Sequence, residues 1–232
     1  MISIKNLRKC YKGTDAVNID SLEIHAGEII GLVGNNGAGK TTFFRLLLDL
    51  IRSNEGEILS KGKPVTITEE WKSYTAAYID EGFLIDYLTP EEYFYFVGKL
   101  NNLSKADVND FLQTYESFFD DAILNKGKYI RDFSKGNQFK IGIIAALLSD
   151  PELLILDEPF ANLDPTTQLR LVDMIKKMAN DKRMCIIVSS HDINHVSEVS
   201  SRILLMEKGK IIKDIEGGEA AYDEMVNYFK VR

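Results

Sequence analysis

Up to about residue 33 the chain alternates apolar and polar side chains in short stretches. Ile2 and Ile4 alternate, as do Leu22 and Ile24, and an apolar run follows from Ile29 to Val33. Alternation at period two predicts half-buried strands, whereas a continuous apolar run fits a strand covered on both faces. That last strand ends at Gly34. From Thr41 to Ile51 the positions of Phe43, Phe44, Leu46, Leu47, Leu48 and Leu50 predict a buried helix, so a glycine-rich segment joins a strand to a helix. Residues 56–80 read as further strands. At Thr89-Pro90-Glu91-Glu92 the signals become those of a helix start, with Thr89 as cap, Pro90 in the first turn and Glu92 closing a capping box.

A second capped start at Ser104 leads into Val108, Phe111, Leu112 and Tyr115 at helical spacing. Residues 85–150 are therefore expected to form a mainly helical insert in an α/β chain. Leu153 to Leu156 and Cys185 to Val188 have the composition of buried parallel strands, and a helix beginning at Asp164-Pro165 separates them. Arg202 to Met206 and Ile211 to Ile215 flank Glu207-Lys208-Gly209-Lys210 as a hairpin, and an amphipathic helix is expected over Glu219 to Lys230. We read one domain over 1–232, with a core from 1–84 and 151–232 and the helical subdomain at 85–150. No repeat or low-complexity linker interrupts it.

Composition narrows the class of protein. The 232 residues are 45% hydrophobic and 27% charged, as in ordinary globular chains, and no segment approaches the ~18 uninterrupted apolar residues a membrane helix needs. The opening residues alternate like a strand and lack the layout of a secretory signal, so the cytosol is the expected compartment. Net charge of −7 argues against a broad basic face for nucleic-acid phosphates, and no nucleic-acid partner is expected. Cys10 and Cys185 lie far apart with no metal-like spacing; Cys185, inside an apolar run, reads as a buried reduced thiol.

Chemistry is concentrated at two places. Gly34-Asn35-Asn36-Gly37-Ala38-Gly39-Lys40-Thr41, continued by Thr42, fits a phosphate-binding loop between strand and helix. In such a loop backbone amides and a helix N-terminus cradle phosphate oxygens, Lys40 reaches the β and γ phosphates, and the Thr41 hydroxyl ligates Mg²⁺. Asn35, Asn36, Gly37, Ala38, Gly39, Lys40, Thr41 and Thr42 are the expected ATP contacts. The second place is Asp157-Glu158, two carboxylates at the C-terminal end of an apolar strand, where parallel α/β sheets bind ligands. Asp157 would hold Mg²⁺ through its water shell, and Glu158 would orient or deprotonate the water attacking the γ phosphate. A strand end with acidic residues is as often a plain loop start; the upstream loop decides for chemistry.

With both motifs in place, the chain resembles the nucleotide-binding subunits of ABC transporters over essentially all 232 residues. The resemblance implies an α/β P-loop ATPase core of ABC type with an N-terminal antiparallel β subdomain and an inserted α-helical subdomain. Phe133-Ser134-Lys135-Gly136-Asn137 is similar to the family's signature, keeping the serine and the second glycine, which implies that Ser134 and Gly136 bind the ATP held by a second subunit. Ser134 would also cap a helix, and a capped N-terminus offers its positive dipole end to phosphate. Ala161-Asn162-Leu163-Asp164 resembles the family's dimer-crossing loop, with Asp164 doubling as an N-cap before Pro165. His191, after Ser189-Ser190, matches the switch histidine near the γ phosphate, and Tyr11 the aromatic residue stacked on adenine. His25 and His195 match no motif.

Two positions depart from the family pattern. Its Mg²⁺-contacting glutamine aligns with Glu81 in Tyr78-Ile79-Asp80-Glu81, whose carboxylate also offers oxygen but adds a charge beside the triphosphate. Lys135 replaces the signature's first glycine. The family's helical insert receives a short helix of the membrane subunit; the aromatic run Tyr93-Phe94-Tyr95-Phe96 lies there, though core packing accounts for it better. The resemblance thus implies an ATPase using ATP and Mg²⁺, dimerised with a second such subunit, peripheral on the inner face of the membrane through an integral-membrane permease, and exporter-like. A soluble assembly ATPase of the iron-sulfur scaffold type and a non-hydrolysing regulatory cassette stand as alternatives. Chromosome-maintenance and translation-associated cassettes need long inserts or a second cassette absent here.

Overall fold

A computed structural model describes residues 1–79, 81–119, 121–161, 163–182 and 184–230. Strands β1 (Ile2–Tyr11) and β2 (Thr14–Ile24) form the first hairpin. Its two-residue turn is Lys12-Gly13, both at positive φ (51° and 84°), the turn whose twist matches paired strands. After β3 (Ile29–Val33) comes helix α1 (Lys40–Leu47), then β4 (Glu55–Ser60), β5 (Lys63–Pro64) and β6 (Thr75–Tyr78). The β4–β5 turn is again Lys-Gly, with Lys61 at 47° and Gly62 at 79°. Four helices follow: α2 (Pro90–Leu100), α3 (Lys105–Gln113), α4 (Glu116–Phe119) and α5 (Lys135–Leu147). The chain closes with β7 (Leu153–Leu156), α6 (Pro165–Lys182), β8 (Cys185–Ser190), α7 (Ile193–Val199), β9 (Arg202–Glu207), β10 (Lys210–Glu216) and α8 (Glu219–Lys230). The hairpin expected at Glu207-Lys208-Gly209-Lys210 is β9–β10, turning on Lys208 (φ 47°) and Gly209 (φ 80°).

The strands make two sheets. One is antiparallel in the order β2-β1-β4-β5; the other runs β10-β9-β3-β8-β7-β6, parallel except for β10 at its edge. Within the parallel sheet, β7 and β8 sort their side chains by period two. Leu154, Leu156, Ile186 and Val188 face a core shared with the helices between residues 90 and 147, while Leu153, Ile155, Cys185 and Ile187 face one shared with α1 and the antiparallel sheet. Full burial on both faces explains the unbroken apolar runs. A third cluster joins Val33, Val196, Ile203 and Leu205 to Met225 of α8.

The helical segment is tied to the sheet by packing. Phe94 of α2 is fully buried with its ring 5.9 Å from Phe119, while Tyr93 and Tyr95 pack partly against the same cluster. Core packing therefore accounts for most of the aromatic run, and truncating Phe94 to alanine would cost about 3–5 kcal/mol. Helix α5 crosses β6 so closely that a Cβ on Gly142 would stand 2.0 Å from the Tyr78 ring, which also meets Phe139 edge-on at 5.1 Å.

Both expected capping boxes form. Thr89 Oγ1 accepts the Glu92 N–H at 3.3 Å and Glu92 Oε2 the Thr89 N–H at 2.9 Å; Ser104 and Asp107 make the same reciprocal pair at 3.2 and 2.8 Å. Two expectations change. Helix α1 ends at Leu47 rather than Ile51, because Asp49 turns left-handed (φ 49°) and the Asp49 and Leu50 N–H groups return to Leu46 and Arg45 carbonyls, leaving Leu50 exposed. Residues 56–80 are not strand throughout: a 3-10 turn over Glu70–Ser73 buries Trp71, whose indole N–H donates to the Val65 carbonyl at 3.0 Å. Among the described residues no helix is long and apolar enough to cross a membrane.

Candidate functional site

Parallel strands β3, β8 and β7 are neighbours, so the segments after Val33, Ser190 and Leu156 emerge along one edge of the sheet. That edge is where ligands of open α/β sheets bind. The loop leaving β3 is anchored through Gly34, whose N–H donates to the Ser190 carbonyl at 3.3 Å, and through Ala38, whose carbonyl accepts the Gly209 N–H at 2.8 Å. Gly37 and Gly39 have φ of 82° and 112°, which glycine adopts without a Cβ penalty. A Cβ on Gly37 would meet nothing within 4 Å, so the loop crest is open to a ligand. One on Gly39 would fall 2.3 Å from the Ala16 carbonyl, so this glycine also lets the loop seat against β2.

Lys40 opens α1 with its side chain only 6% exposed. A buried ammonium needs compensation, and Nζ donates to the Gly34 carbonyl at 2.6 Å and lies 3.1 Å from Glu158 Oε1. The other oxygen, Oε2, accepts the His191 backbone N–H at 3.2 Å and lies 2.8 Å from His191 Nδ1. One carboxylate thus bridges the lysine that opens α1 and the histidine after β8. Glu158 itself is left-handed (φ 48°), a conformation that costs a non-glycine residue about 1–3 kcal/mol and clusters at functional sites.

Asp157 is nearly buried, and a different donor reaches each of its carboxylate oxygens. Thr41 Oγ1 donates to Oδ2 at 2.6 Å and Ser189 Oγ to Oδ1 at 2.5 Å. Burial pushes the Asp157 pKa above the ordinary carboxylate value, the two hydroxyls pulling against it. Ser189 Oγ also accepts the Glu158 N–H at 2.8 Å. Sequence reasoning passed over Ser189; the available signal was a serine closing an otherwise apolar strand paired with the carboxylate strand.

The donor set fits Mg²⁺. This cation takes oxygen ligands and is ordinarily held by one or two protein groups together with water and substrate phosphates. The Thr41 hydroxyl and the Asp157 carboxylate supply such oxygens, and among the described residues no group of three or more His, Cys, Asp or Glu could enclose a metal alone.

The remaining candidates lie apart from this constellation in their hydrogen bonds. Ser134 caps α5, its Oγ accepting the Asn137 N–H at 3.3 Å, with Gly136 in the same first turn. Asp164 starts α6, accepting the Thr167 N–H at 3.0 Å and the Thr167 hydroxyl at 2.6 Å, bonds that hold its pKa below the usual range. Tyr11 ends β1 half exposed, with Lys9 Nζ 5.0 Å from its ring centroid. Glu81 begins a 3-10 turn over Glu81–Phe83; its side chain, like Asp80 and Asn162, lies outside the described residues. Lys135 is exposed on the first turn of α5. Cys185 is buried, its thiol pushed up to about 12 by desolvation, in keeping with an inert reduced thiol, while Cys10 is half-buried.

Residues 17–161 match the family model described as ABC transporter. Over 99% of its length the chain is 30% identical to the Bacillus subtilis ABC transporter ATP-binding protein YhcH, covering 74% of that protein. It is 31% identical to the B. subtilis SkfA peptide export ATP-binding protein SkfE, over 93% of this chain and 89% of that one. Among solved structures, the fold is similar to the dimeric ATP-binding cassette MJ0796 in its post-hydrolysis state bound to ADP and Pi, with a TM-score of 0.81 and 22% identity over 93% of this chain and 98% of that one.

Proposed function

The chain belongs to the ABC transporter family, and from that premise we propose that it is an ATP-hydrolysing subunit that dimerises around two ATP molecules and drives export by a separate membrane permease. The observation that carries the hydrolytic reading is the Glu158 carboxylate held between Lys40 Nζ and His191 Nδ1 at the mouth of the phosphate loop. With ATP in the loop, Lys40 exchanges its carbonyl and carboxylate partners for β and γ phosphate oxygens, which frees Glu158 to accept a proton from water. The water oxygen bonds to the γ phosphorus, the bond to the β,γ-bridging oxygen breaks, and ADP and phosphate leave. His191 steadies Glu158 and the γ phosphate from the other side. Thr41 and Asp157 would hold Mg²⁺, with Glu81 offering a third oxygen, and such an ion would supply neutralisation of the charge on the phosphates.

The loop residues Asn35, Asn36, Gly37, Ala38, Gly39 and Thr42 contact ATP in the same copy, with Tyr11 against adenine. Ser134, Gly136 and Asp164 serve the ATP of the facing copy, a role with which the capping bonds of Ser134 and Asp164 do not compete. Residues 1–84 and 151–232 act as the catalytic core and 85–150 as a helical subdomain that couples to the permease at the inner face of the membrane. Export follows the relatives: SkfE is named for peptide export. The test is twofold. The purified chain is expected to release phosphate from MgATP, and from detergent-solubilised membranes of its host it is expected to co-purify with a polytopic membrane protein. Absence of phosphate release by wild-type protein would overturn the enzymatic reading. Recovery with soluble iron-sulfur assembly proteins alone would overturn the transport reading.

A further inference from the structure

The ladder between β7 and β8 pairs Leu153 with Cys185 and runs in register to Leu156 with Val188. One step further along, Asp157 and Glu158 leave the sheet while β8 continues through Ser189 and Ser190. The backbone N–H of Glu158 therefore has no strand partner where the chain turns left-handed, and a partly buried donor needs an acceptor. Ser189 Oγ supplies it at 2.8 Å and donates its own O–H to Asp157 Oδ1 at 2.5 Å. A hydroxyl is one donor and two acceptors in a single atom, so one side chain serves both neighbours. The residue is wholly buried. Ser190, next along, is committed elsewhere: its Oγ accepts the Asp192 N–H at 2.9 Å and its carbonyl the Gly34 N–H.

We propose that Ser189 is a positioning residue for hydrolysis, its one hydroxyl aiming the Asp157 carboxylate and fixing the left-handed turn that presents Glu158. Thr41 and Ser189 then orient the Asp157 carboxylate from opposite sides, the first from the phosphate loop and the second from the strand that delivers His191. The hydroxyl couples the two carboxylate positions, so a metal-side change at Asp157 is felt at Glu158 without contact between their side chains. Residues of this outer kind commonly change metal affinity or activity by about 10–100-fold when removed. The inference rests on the hydrolytic reading above.

Full-length Ser189→Ala and Ser189→Thr are compared with wild type in three measurements. These are kcat and KM for ATP, the Mg²⁺ concentration giving half-maximal rate, and nucleotide-dependent Mn²⁺ binding by EPR alongside calorimetry of metal-free ATP. Ser189→Ala is expected to lower kcat about tenfold or more, to weaken Mn²⁺ binding about tenfold, and to leave metal-free ATP affinity within about twofold. Ser189→Thr, which keeps the hydroxyl, is expected to recover most of both losses. Wild-type kcat and metal binding in Ser189→Ala would overturn the proposal, as would Ser189→Thr being as impaired as Ser189→Ala, or equal losses of metal-free and metal-bound nucleotide. A wild-type protein that neither binds nor hydrolyses ATP would instead sink the functional reading itself.

Discussion

His191 Nδ1 lies 2.8 Å from Glu158 Oε2, while the other oxygen of the same carboxylate lies 3.1 Å from the Lys40 ammonium. Two side chains, one from the start of α1 and one from the segment after β8, thus meet on the Glu158 carboxylate, and its two oxygens divide between an ammonium and a histidine. Replacing Glu158 with glutamine keeps the shape and an oxygen but removes the carboxylate proposed as the base.

Glu158→Gln is therefore expected to bind MgATP and to hydrolyse it at least about a hundredfold more slowly, accumulating as an ATP-bound dimer. Size-exclusion chromatography with ATP and Mg²⁺ would show the larger species. Undiminished steady-state hydrolysis would remove Glu158 from its assigned role.

Lys40→Ala strips the loop of its charge and also leaves Glu158 Oε1 without the ammonium it faces. Nucleotide affinity is expected to fall by about two orders of magnitude, since charge-assisted contacts to phosphate are the strong ones. Calorimetry checks this. Tight MgATP binding by the variant would contradict the phosphate-loop assignment.

Glu81 is proposed to stand at a position where the family carries a glutamine. If it takes that place toward Mg²⁺, Glu81→Gln keeps an oxygen at the same reach and should hold its rate within about threefold, while Glu81→Ala should lose about tenfold and need more Mg²⁺. ATPase rates across a Mg²⁺ titration decide. A Glu81→Ala protein with wild-type rate and metal dependence would exclude this residue from the site.

The thiol of Cys185 is raised to about 12, above its ordinary 9.0, chiefly by burial, and Cys10 is half-buried. At pH 8 the native protein should accordingly expose one thiol to a disulfide reagent, with the second reacting only after denaturation. Because the shift disfavours the folded thiolate, its linkage to stability is absent below pH 9 and becomes a loss between pH 9 and 12, where only the unfolded thiol ionises. Rapid reaction of both thiols in native protein at pH 8 would show that Cys185 is not buried as described.

Much of the molecule is written in short-range signals. Thr89 and Ser104 announce their helices because a capping box spans only four residues, and Lys208-Gly209 announces a hairpin because two adjacent positive φ angles favour glycine. Apolar runs marked β3, β7 and β8, and the glycine spacing marked the loop between β3 and α1 proposed to bind phosphate. The sequence alone therefore determined most element types and the candidate residues for chemistry. Tertiary structure decided which of them meet. Thr41 and Asp157 are 116 residues apart, His191 and Glu158 are 33 apart, and only the strand order brings them within hydrogen-bond reach. Ser189 gains a role because β8 runs beside β7 in register, and Gly142 must be glycine because α5 crosses the Tyr78 ring on β6. The local mistakes have the same origin. Apolar periodicity carried α1 on to Ile51, where a left-handed Asp49 ends it, and strand-like residues around Trp71 close into a turn that buries an indole. Periodicity reports which face of a segment is apolar; how far the segment runs, and what it touches, depends on contacts with residues distant in the chain.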